Sequence, residues 1–121
     1  MRVYVDANPK EYAMVTEEGT TIVGACPEGC TNNEAEYRAI IAALKEFPDV
    51  TEIISDSQLV VRQLNHEYSI KEDRLRTLAM QVWKLVQPSS TVVNLRVVSS
   101  KHKVKFTWIP RKQNLAGRVL G

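Results

Sequence analysis

Three acidic residues stand where apolar segments meet loops or helices, a pattern typical of a metal site. Asp6 ends the short apolar run 3–5, and Asp56 ends a second, mostly apolar run at 53–55. Glu36 lies in the first turn of a predicted amphipathic helix, on the apolar stripe of that helix. Carboxylates at two strand ends and one helix start can meet in space although they are far apart in sequence. Because such carboxylates repel one another unless they are protonated or hold a cation, the pattern predicts a site for a hard divalent metal ion.

Two of these acids also have an ordinary structural explanation. Asp56 could cap the N-terminus of the second predicted helix, since Asp is among the preferred N-cap residues. Glu36 could pair with an Asn33 cap in the manner of a capping box. Neither explanation covers Asp6, which begins no helix. The metal-site hypothesis therefore accounts for more of the pattern, and both capping alternatives stay open at this point.

The net charge of +2 hides a strong asymmetry along the chain. Residues 1–56 carry four Lys and Arg against eleven Asp and Glu, a net charge of −7, whereas residues 57–121 carry twelve against three, a net charge of +9. An acidic half that can hold cations beside a basic half suits a phosphate-rich polymer that is cut with metal help. A solvated charged surface explains the same counts.

Size and composition favour one domain, residues 1–121, with its own hydrophobic core and no need of disulfides or structural metal ions for stability. We expect a monomer. No apolar stretch approaches the ~20 residues of a membrane span, and no signal-peptide pattern follows Met1, so we expect a cytoplasmic protein without membrane contact. Cys26 and Cys30 are too few for a closed zinc site and are interpreted as ordinary loop cysteines.

Hydrophobic periodicity predicts an α/β fold in which a mixed five-stranded sheet has three antiparallel strands, then parallel strands, and helices on its faces. An extra strand near 92–98, a basic turn at 99–103 and a short last helix after Asn114 complete the expectation. The predicted strands are about 2–6, 11–16, 20–26, 51–55 and 104–109, and the predicted helices are about 33–46, 57–65 and 72–86.

The ordered motifs resemble the ribonuclease H family, in particular the short type-1 form (ribonuclease HI) common in archaea and bacteria. One of these motifs alone would be weak, but the set occurs in the family's order over nearly the whole chain. The matching segments are Tyr4-Val5-Asp6, Thr31-Asn32-Asn33-x-Ala35-Glu36, Ser55-Asp56-Ser57-Gln58-Leu59-Val60, Arg62-Gln63-Leu64-Asn65 and Trp108-Ile109-Pro110-Arg111-x-x-Asn114.

The resemblance implies a ribonuclease H-like fold and endonucleolytic hydrolysis of the RNA strand of RNA/DNA hybrids. Two Mg²⁺ ions, for which Mn²⁺ substitutes, would be held by the catalytic carboxylates Asp6, Glu36 and Asp56, with Asp6 between the ions. Amide and hydroxyl groups would grasp the hybrid and tell RNA from DNA through the minor groove and the 2′-hydroxyls. The implied substrate-binding residues are Thr31 (on a DNA phosphate), Asn32, Asn33, Ser57, Gln58, Asn8 and Arg111.

The chain departs from the family pattern at the fourth metal-binding acid, which is Gly117 here. The Asn114 amide oxygen or a water molecule would have to replace that carboxylate. The Gly-rich loop usual after the first aspartate and the loop histidine of some members are also missing, and Arg111 stands nearest to the place of that histidine. An alternative hypothesis is therefore an inactive module that binds hybrids or duplexes. A related nuclease with another substrate is less compatible with the paired asparagines and Gln58.

Overall fold

The computed structural model describes residues 1–86, 89–93, 96–100 and 104–120, with the backbone path alone for 89–93 and 96–100. Three initial strands are followed by a helix, a strand, two helices, three further strands and a short last helix. The strands are β1 (Arg2–Ala7), β2 (Glu11–Thr16), β3 (Thr21–Ala25), β4 (Glu52–Ser55), β5 (Ser89–Val93), β6 (Arg96–Ser100) and β7 (Lys105–Trp108). The helices are α1 (Asn32–Glu46), α2 (Gln58–Leu64), α3 (Asp73–Val86) and the short α4 (Gly117–Leu120), with a 3₁₀ turn at Arg111–Gln113.

Five strands form a mixed sheet in the order β3-β2-β1-β4-β7. β1 pairs antiparallel with β2, β2 pairs antiparallel with β3, and β4 lies parallel to both β1 and β7. This arrangement confirms the predicted five-stranded mixed sheet. Because β1, β4 and β7 run in the same direction, their carboxyl ends all meet at one edge of the sheet.

The main core lies between the sheet and the pair α1 and α3. Small and branched side chains on α1, such as Ala39 and Ile40, are fully buried against Val3, Val5 and Ile53 of the central strands. A smaller cluster on the opposite face packs the chain before and within α4 against β2. Within the described part of the chain, no helix is both long enough and apolar enough to span a bilayer.

The prediction of a single strand over 92–98 was wrong in its extent. Two strands occupy this region, and they pair antiparallel with each other in a separate sheet in which Val92 lies opposite Val97. Ser99 and Ser100 belong to β6 rather than to the predicted basic turn, whose other residues, 101–103, lie outside the described residues. In the sequence, Asn94 separates the β-forming residues 91–93 from Val97 and Val98, and Asn is depleted in strands, so the prediction overlooked a signal for the division.

Candidate active site

The three predicted metal-binding acids converge at the carboxyl edge of the central strands. Asp6, Glu36 and Asp56 each offer a carboxylate oxygen, and these three oxygens lie within 4.8 Å of one another. Asp6 and Glu36 are buried, at 7% and 6% exposure, and Asp56 is half-buried. The convergence is therefore a buried cluster of like charges and not a group of solvated surface acids.

Strand register explains why the two aspartates meet. Val5 of β1 lies opposite Ser55 of β4 in the parallel ladder. Asp6 and Asp56 each follow one member of this pair, so both leave the sheet at the same edge. β1 is the central strand of the five, which puts Asp6 in the middle of that edge.

Glu36 reaches the cluster from α1 and is held by two donors. The backbone N–H of Ala7 donates to its Oε1 over 3.0 Å, and the hydroxyl of Ser55 donates to its Oε2 over 3.2 Å. Ser55 is fully buried, and its oxygen accepts in turn from the backbone N–H of Ser57 over 3.0 Å. Sequence reasoning missed this role of Ser55, although a hydroxyl residue ending a buried apolar strand was an available signal.

The helix caps settle the two structural alternatives for these acids. Thr31, not Asn33, caps α1, since its Oγ1 accepts from the backbone N–H of Glu34 over 3.2 Å and also donates to that side chain. Ser57, not Asp56, caps α2 through a bond from the backbone N–H of Val60. Glu36 and Asp56 are therefore not needed as caps, and both carboxylates point into the cluster.

The cluster is electrostatically strained in the absence of a cation. The pKa of Glu36 is raised to about 9. Burial is the largest cause, followed by the charge of Asp6, a hydrogen bond with Asp6 and the charge of Asp56. The pKa of Asp56 is also raised, by burial and then by Asp6, while the amide of Asn114 and the charge of Arg111 oppose the increase. At neutral pH the metal-free cluster thus retains a proton.

The donor set fits a hard divalent cation. All three groups are carboxylates, which Mg²⁺ and Mn²⁺ prefer, and their spacing, within 4.8 Å, is close to the roughly 4.2 Å that two oxygens on one ion can span with Mg–O bonds of about 2.1 Å. Oδ2 of Asp56 is buried and accepts no hydrogen bond from any described residue. A bound cation would satisfy this orphaned oxygen and offset the repulsion that raises the pKa of Glu36.

Gly117, the departure from the family's fourth acid, lies directly against the cluster. A Cβ atom built on Gly117 would stand 3.3 Å from Oδ2 of Asp6. Asn114 is fully buried beside it, where its Nδ2 donates to the carbonyl of Val5 over 2.8 Å and its Oδ1 accepts from the N–H of Ala116 over 3.1 Å. Asn114 therefore anchors the last segment to the central strand, and its role as a metal ligand stays a prediction.

The substrate-binding residues implied by the resemblance surround this edge of the sheet. Thr31 and Asn32 are exposed at the start of α1, with Asn33 half-buried behind them. Gln58 is exposed at the first position of α2, directly after the Ser57 cap. Thr31 lies five residues before Glu36 and Gln58 lies two residues after Asp56, and contact of these side chains with a substrate stays a prediction.

Two further residues of the implied set lie at the same edge. Asn8 shapes the turn after β1, where its Oδ1 accepts the backbone N–H groups of Lys10 and Glu11, both over 2.9 Å, so its oxygen is already engaged. Arg111 is exposed at the start of the 3₁₀ turn after β7, and its positive charge acts to lower the pKa of Asp56. Arg111 therefore adds a positive charge beside the cluster, and its contact with a substrate stays a prediction.

Trp108, at the end of β7, is also part of this surface. The side chain is 43% exposed, and its Nε1 donates to the carbonyl of Asp56 over 3.1 Å. Because β7 ends beside β4, its last residue leaves the core and borders the site.

Comparison with known proteins finds a matching family. The RNase H family model matches residues 1–117. The bifunctional protein Rv2228c of Mycobacterium tuberculosis is 29% identical over 108 residues, which is 86% of this chain and 25% of that protein. The chain thus spans about a quarter of the length of the curated relatives it matches.

Solved structures share the fold over nearly the full chain. LC11-RNase H1, isolated from compost by a metagenomic approach, is 28% identical with a TM-score of 0.71, covering 98% of this chain and 90% of that one. LC11-RNase H1 in complex with an RNA/DNA hybrid aligns with a TM-score of 0.69 at 24% identity, covering 99% of both chains.

Proposed function

Because this chain belongs to the RNase H family, we propose that it is a metal-dependent endoribonuclease that hydrolyses the RNA strand of RNA/DNA hybrids. The observation that carries the proposal is the convergence of Asp6, Glu36 and Asp56 within 4.8 Å at the carboxyl edge of the central strands. The hybrid-bound structure of LC11-RNase H1, which has the same fold, supports the choice of substrate.

The three carboxylates would hold two Mg²⁺ ions, or Mn²⁺ in their place. When bound, these ions supply charge stabilisation for the attacking and leaving oxygens of an in-line displacement. Glu36 must give up its proton before it can act as a ligand, since its pKa is about 9 in the metal-free protein. The bonds from Ala7 and Ser55 fix the direction of its two oxygens, so that little reorganisation is needed.

Polar residues around the cluster would orient the hybrid. Thr31 would contact a phosphate of the DNA strand, while Asn32, Asn33 and Gln58 would reach the minor-groove edges and the 2′-hydroxyls of the RNA strand. Arg111 would contact the scissile phosphate. These contacts would set the strand preference, because 2′-hydroxyls distinguish RNA from DNA.

We further propose that residues 1–121 act as one domain and as a monomer. The cytoplasmic location expected from the sequence stays a prediction.

A labelled RNA/DNA hybrid incubated with the protein and Mg²⁺ or Mn²⁺ tests the activity. The proposal predicts RNA fragments with 5′-phosphate and 3′-hydroxyl ends, and no cleavage by Asp56→Asn. Duplex DNA of the same sequence is the substrate control and should stay whole. A wild-type protein that leaves the hybrid whole with both metals contradicts the activity.

The glycine at position 117 favours a second candidate, a hybrid-binding module without turnover. The cluster has three carboxylates, and position 117 beside Asp6 offers no ligand atom. Salt-dependent binding of the hybrid without cleavage would identify this function.

A further inference from the structure

A groove follows α1 away from the carboxylate cluster, between the β2–β3 side of the sheet and α3. Two cavities of about 410 Å³ each make up the groove, and they share Arg38, Leu78 and Gln81. One cavity extends to Glu34 and Arg74 near the start of α1, and the other extends to Lys45 near its end. We call this feature the α1 groove.

The charge of the α1 groove is unbalanced. Among the described residues that line the groove, Glu34 is the acidic one, and Oε1 of Glu34 lies 3.6 Å from Nη1 of Arg74. This pairing leaves Arg38 and Lys45 without an ion-pair partner within 4.0 Å in the described part of the chain. The stretch between these two residues therefore carries two positive charges and attracts anions.

Arg38 carries a second signal of a missing ligand. Its Nε is buried and donates no hydrogen bond to any described residue. A guanidinium group stays charged at all ordinary pH values, so it cannot escape the cost of burial by losing a proton. An acceptor in the groove would offset that cost, and a phosphate oxygen suits a guanidinium group particularly well.

Helical spacing connects the groove to the substrate surface. Thr31, Arg38 and Lys45 are separated by seven residues each, a spacing that returns to nearly the same helix face with a drift of only about 20°. At 1.5 Å per residue, the three positions form a column with steps of about 10 Å and a length of about 21 Å. Thr31 is the residue for which a contact to a DNA phosphate is proposed, and the column continues from it.

We propose that the α1 groove is a binding site for backbone phosphates of the uncut DNA strand, through Arg38 and Lys45. This inference rests on the proposed function, because it extends the path of the same hybrid beyond the carboxylate cluster. The amide of Gln81 adds a neutral hydrogen-bonding group to the cavity that the two cations line. The site reads no sequence, since backbone contacts position a strand and carry no base information.

Substitution of the two cations tests the site by binding measurements. Fluorescence anisotropy measures the binding of two labelled hybrids, one of about 18 base pairs and one of about 6 base pairs. At 3.4 Å per nucleotide of strand, the shorter hybrid reaches about 10 Å to either side of the cluster. The variants are Arg38→Gln, Lys45→Gln and the double variant. Lys84→Gln, an exposed cation of α3 outside the groove, removes the same charge and serves as the matched control.

Each lost phosphate contact should weaken binding of the long hybrid about eightfold at 0.1 M salt and lower the salt slope by about 0.9. The double variant should therefore lose about sixtyfold on the long hybrid and little on the short one. For cleavage, KM should rise with kcat unchanged. Excess inorganic phosphate or a mononucleotide at millimolar concentration should compete only weakly, because each offers one phosphate where the strand offers several.

The groove assignment is overturned if the double variant binds the long hybrid as tightly as Lys84→Gln does. It is also overturned by equal losses on both hybrids, which would indicate a general effect of charge or folding, or by tight competition from free phosphate. Failure of the proposed activity is a separate result: a wild-type protein that binds the hybrids but does not cut them loses the nuclease assignment while the groove remains testable.

Discussion

The backbone N–H of Ala7 donates a 3.0 Å hydrogen bond to Oε1 of Glu36, which ties the first helix to the central strand one residue beyond Asp6. The relative position of two carboxylates that are thirty residues apart is thus set by a main-chain group. An amide at position 36 can accept the same bond, so Glu36→Gln should keep the geometry while removing the charge.

Glu36→Gln should lower hybrid cleavage by more than about a hundredfold, since even changes to the outer partners of metal ligands cost about 10- to 100-fold. Glu46→Gln, the same substitution at an exposed position of α1, is the control and should retain full activity. Initial rates at saturating Mg²⁺ measure the effect. Activity of Glu36→Gln near the wild-type level would remove this residue from the catalytic set.

The stability of the metal-free protein should fall as pH rises from about 5 to 9. The pKa of Glu36 is about 9 in the folded protein and 4.5 in its ordinary state, so within this window the folded protein holds a proton that the unfolded chain releases. The raised pKa of Asp56 acts in the same direction. Urea unfolding in the presence of a chelator should show the decrease, and Glu36→Gln should flatten it. A slope equal in both proteins would contradict the assignment.

Ser55→Ala should weaken the site without touching a ligand. The substitution removes the donor to Oε2 of Glu36 and leaves the backbone N–H of Ser57 without its acceptor. The free energy of unfolding should fall by about 1–3 kcal/mol, the usual cost of an unsatisfied buried group. The metal concentration for half-maximal activity should rise about 10- to 100-fold. Ser69→Ala, at an exposed position, should change neither quantity.

Most of the fold could be predicted because its signals are local. The stripe on α1 that includes Ala39 and Ile40 has helical spacing, and the short, mostly apolar runs at 3–5 and 53–55 are each followed by an aspartate. The family suggested by the ordered motifs is confirmed by the match over residues 1–117. The division of 89–100 into two strands was missed, although Asn94, a residue depleted in strands, separates two β-forming runs in the sequence.

The site could be predicted only in part, because tertiary contacts decide which polar groups become partners. The three carboxylates followed from strand ends and a helix stripe. The choice of Thr31 and Ser57 as caps, over Asn33 and Asp56, depends on local backbone angles that the residue types alone do not determine. The exposure of Trp108 depends on the position of β7 at the edge of the sheet.

Gly117→Asp should restore a fourth carboxylate and lower the metal concentration for half-maximal activity, on the order of tenfold. The new Cβ would stand 3.3 Å from Oδ2 of Asp6, so the side chain begins beside the cluster. Gly117→Ala adds the same Cβ without a ligand and should give no gain. Equal metal dependence in Gly117→Asp and the wild type would mean that another group already occupies the place of the fourth acid.

Trp108 should report metal binding through its fluorescence. Its indole N–H lies 3.1 Å from the carbonyl of Asp56, whereas Trp83 on α3 bonds to the carbonyl of Leu64. In Trp83→Phe, paramagnetic Mn²⁺ should quench the emission of Trp108, and adding Asp56→Asn should abolish the quenching. In Trp108→Phe, where Trp83 alone emits, little quenching is expected.

The binding of Mn²⁺ itself tests most directly whether the trio of carboxylates is a metal centre. Electron paramagnetic resonance can count free Mn²⁺ as the ion is titrated into the wild-type protein and into Asp56→Asn. Saturable loss of the free-ion signal in the wild type, stronger at pH 8.5 than at pH 6.5 because Glu36 must release its proton, is the predicted result. A free-ion signal that is the same with and without the wild-type protein would contradict the account.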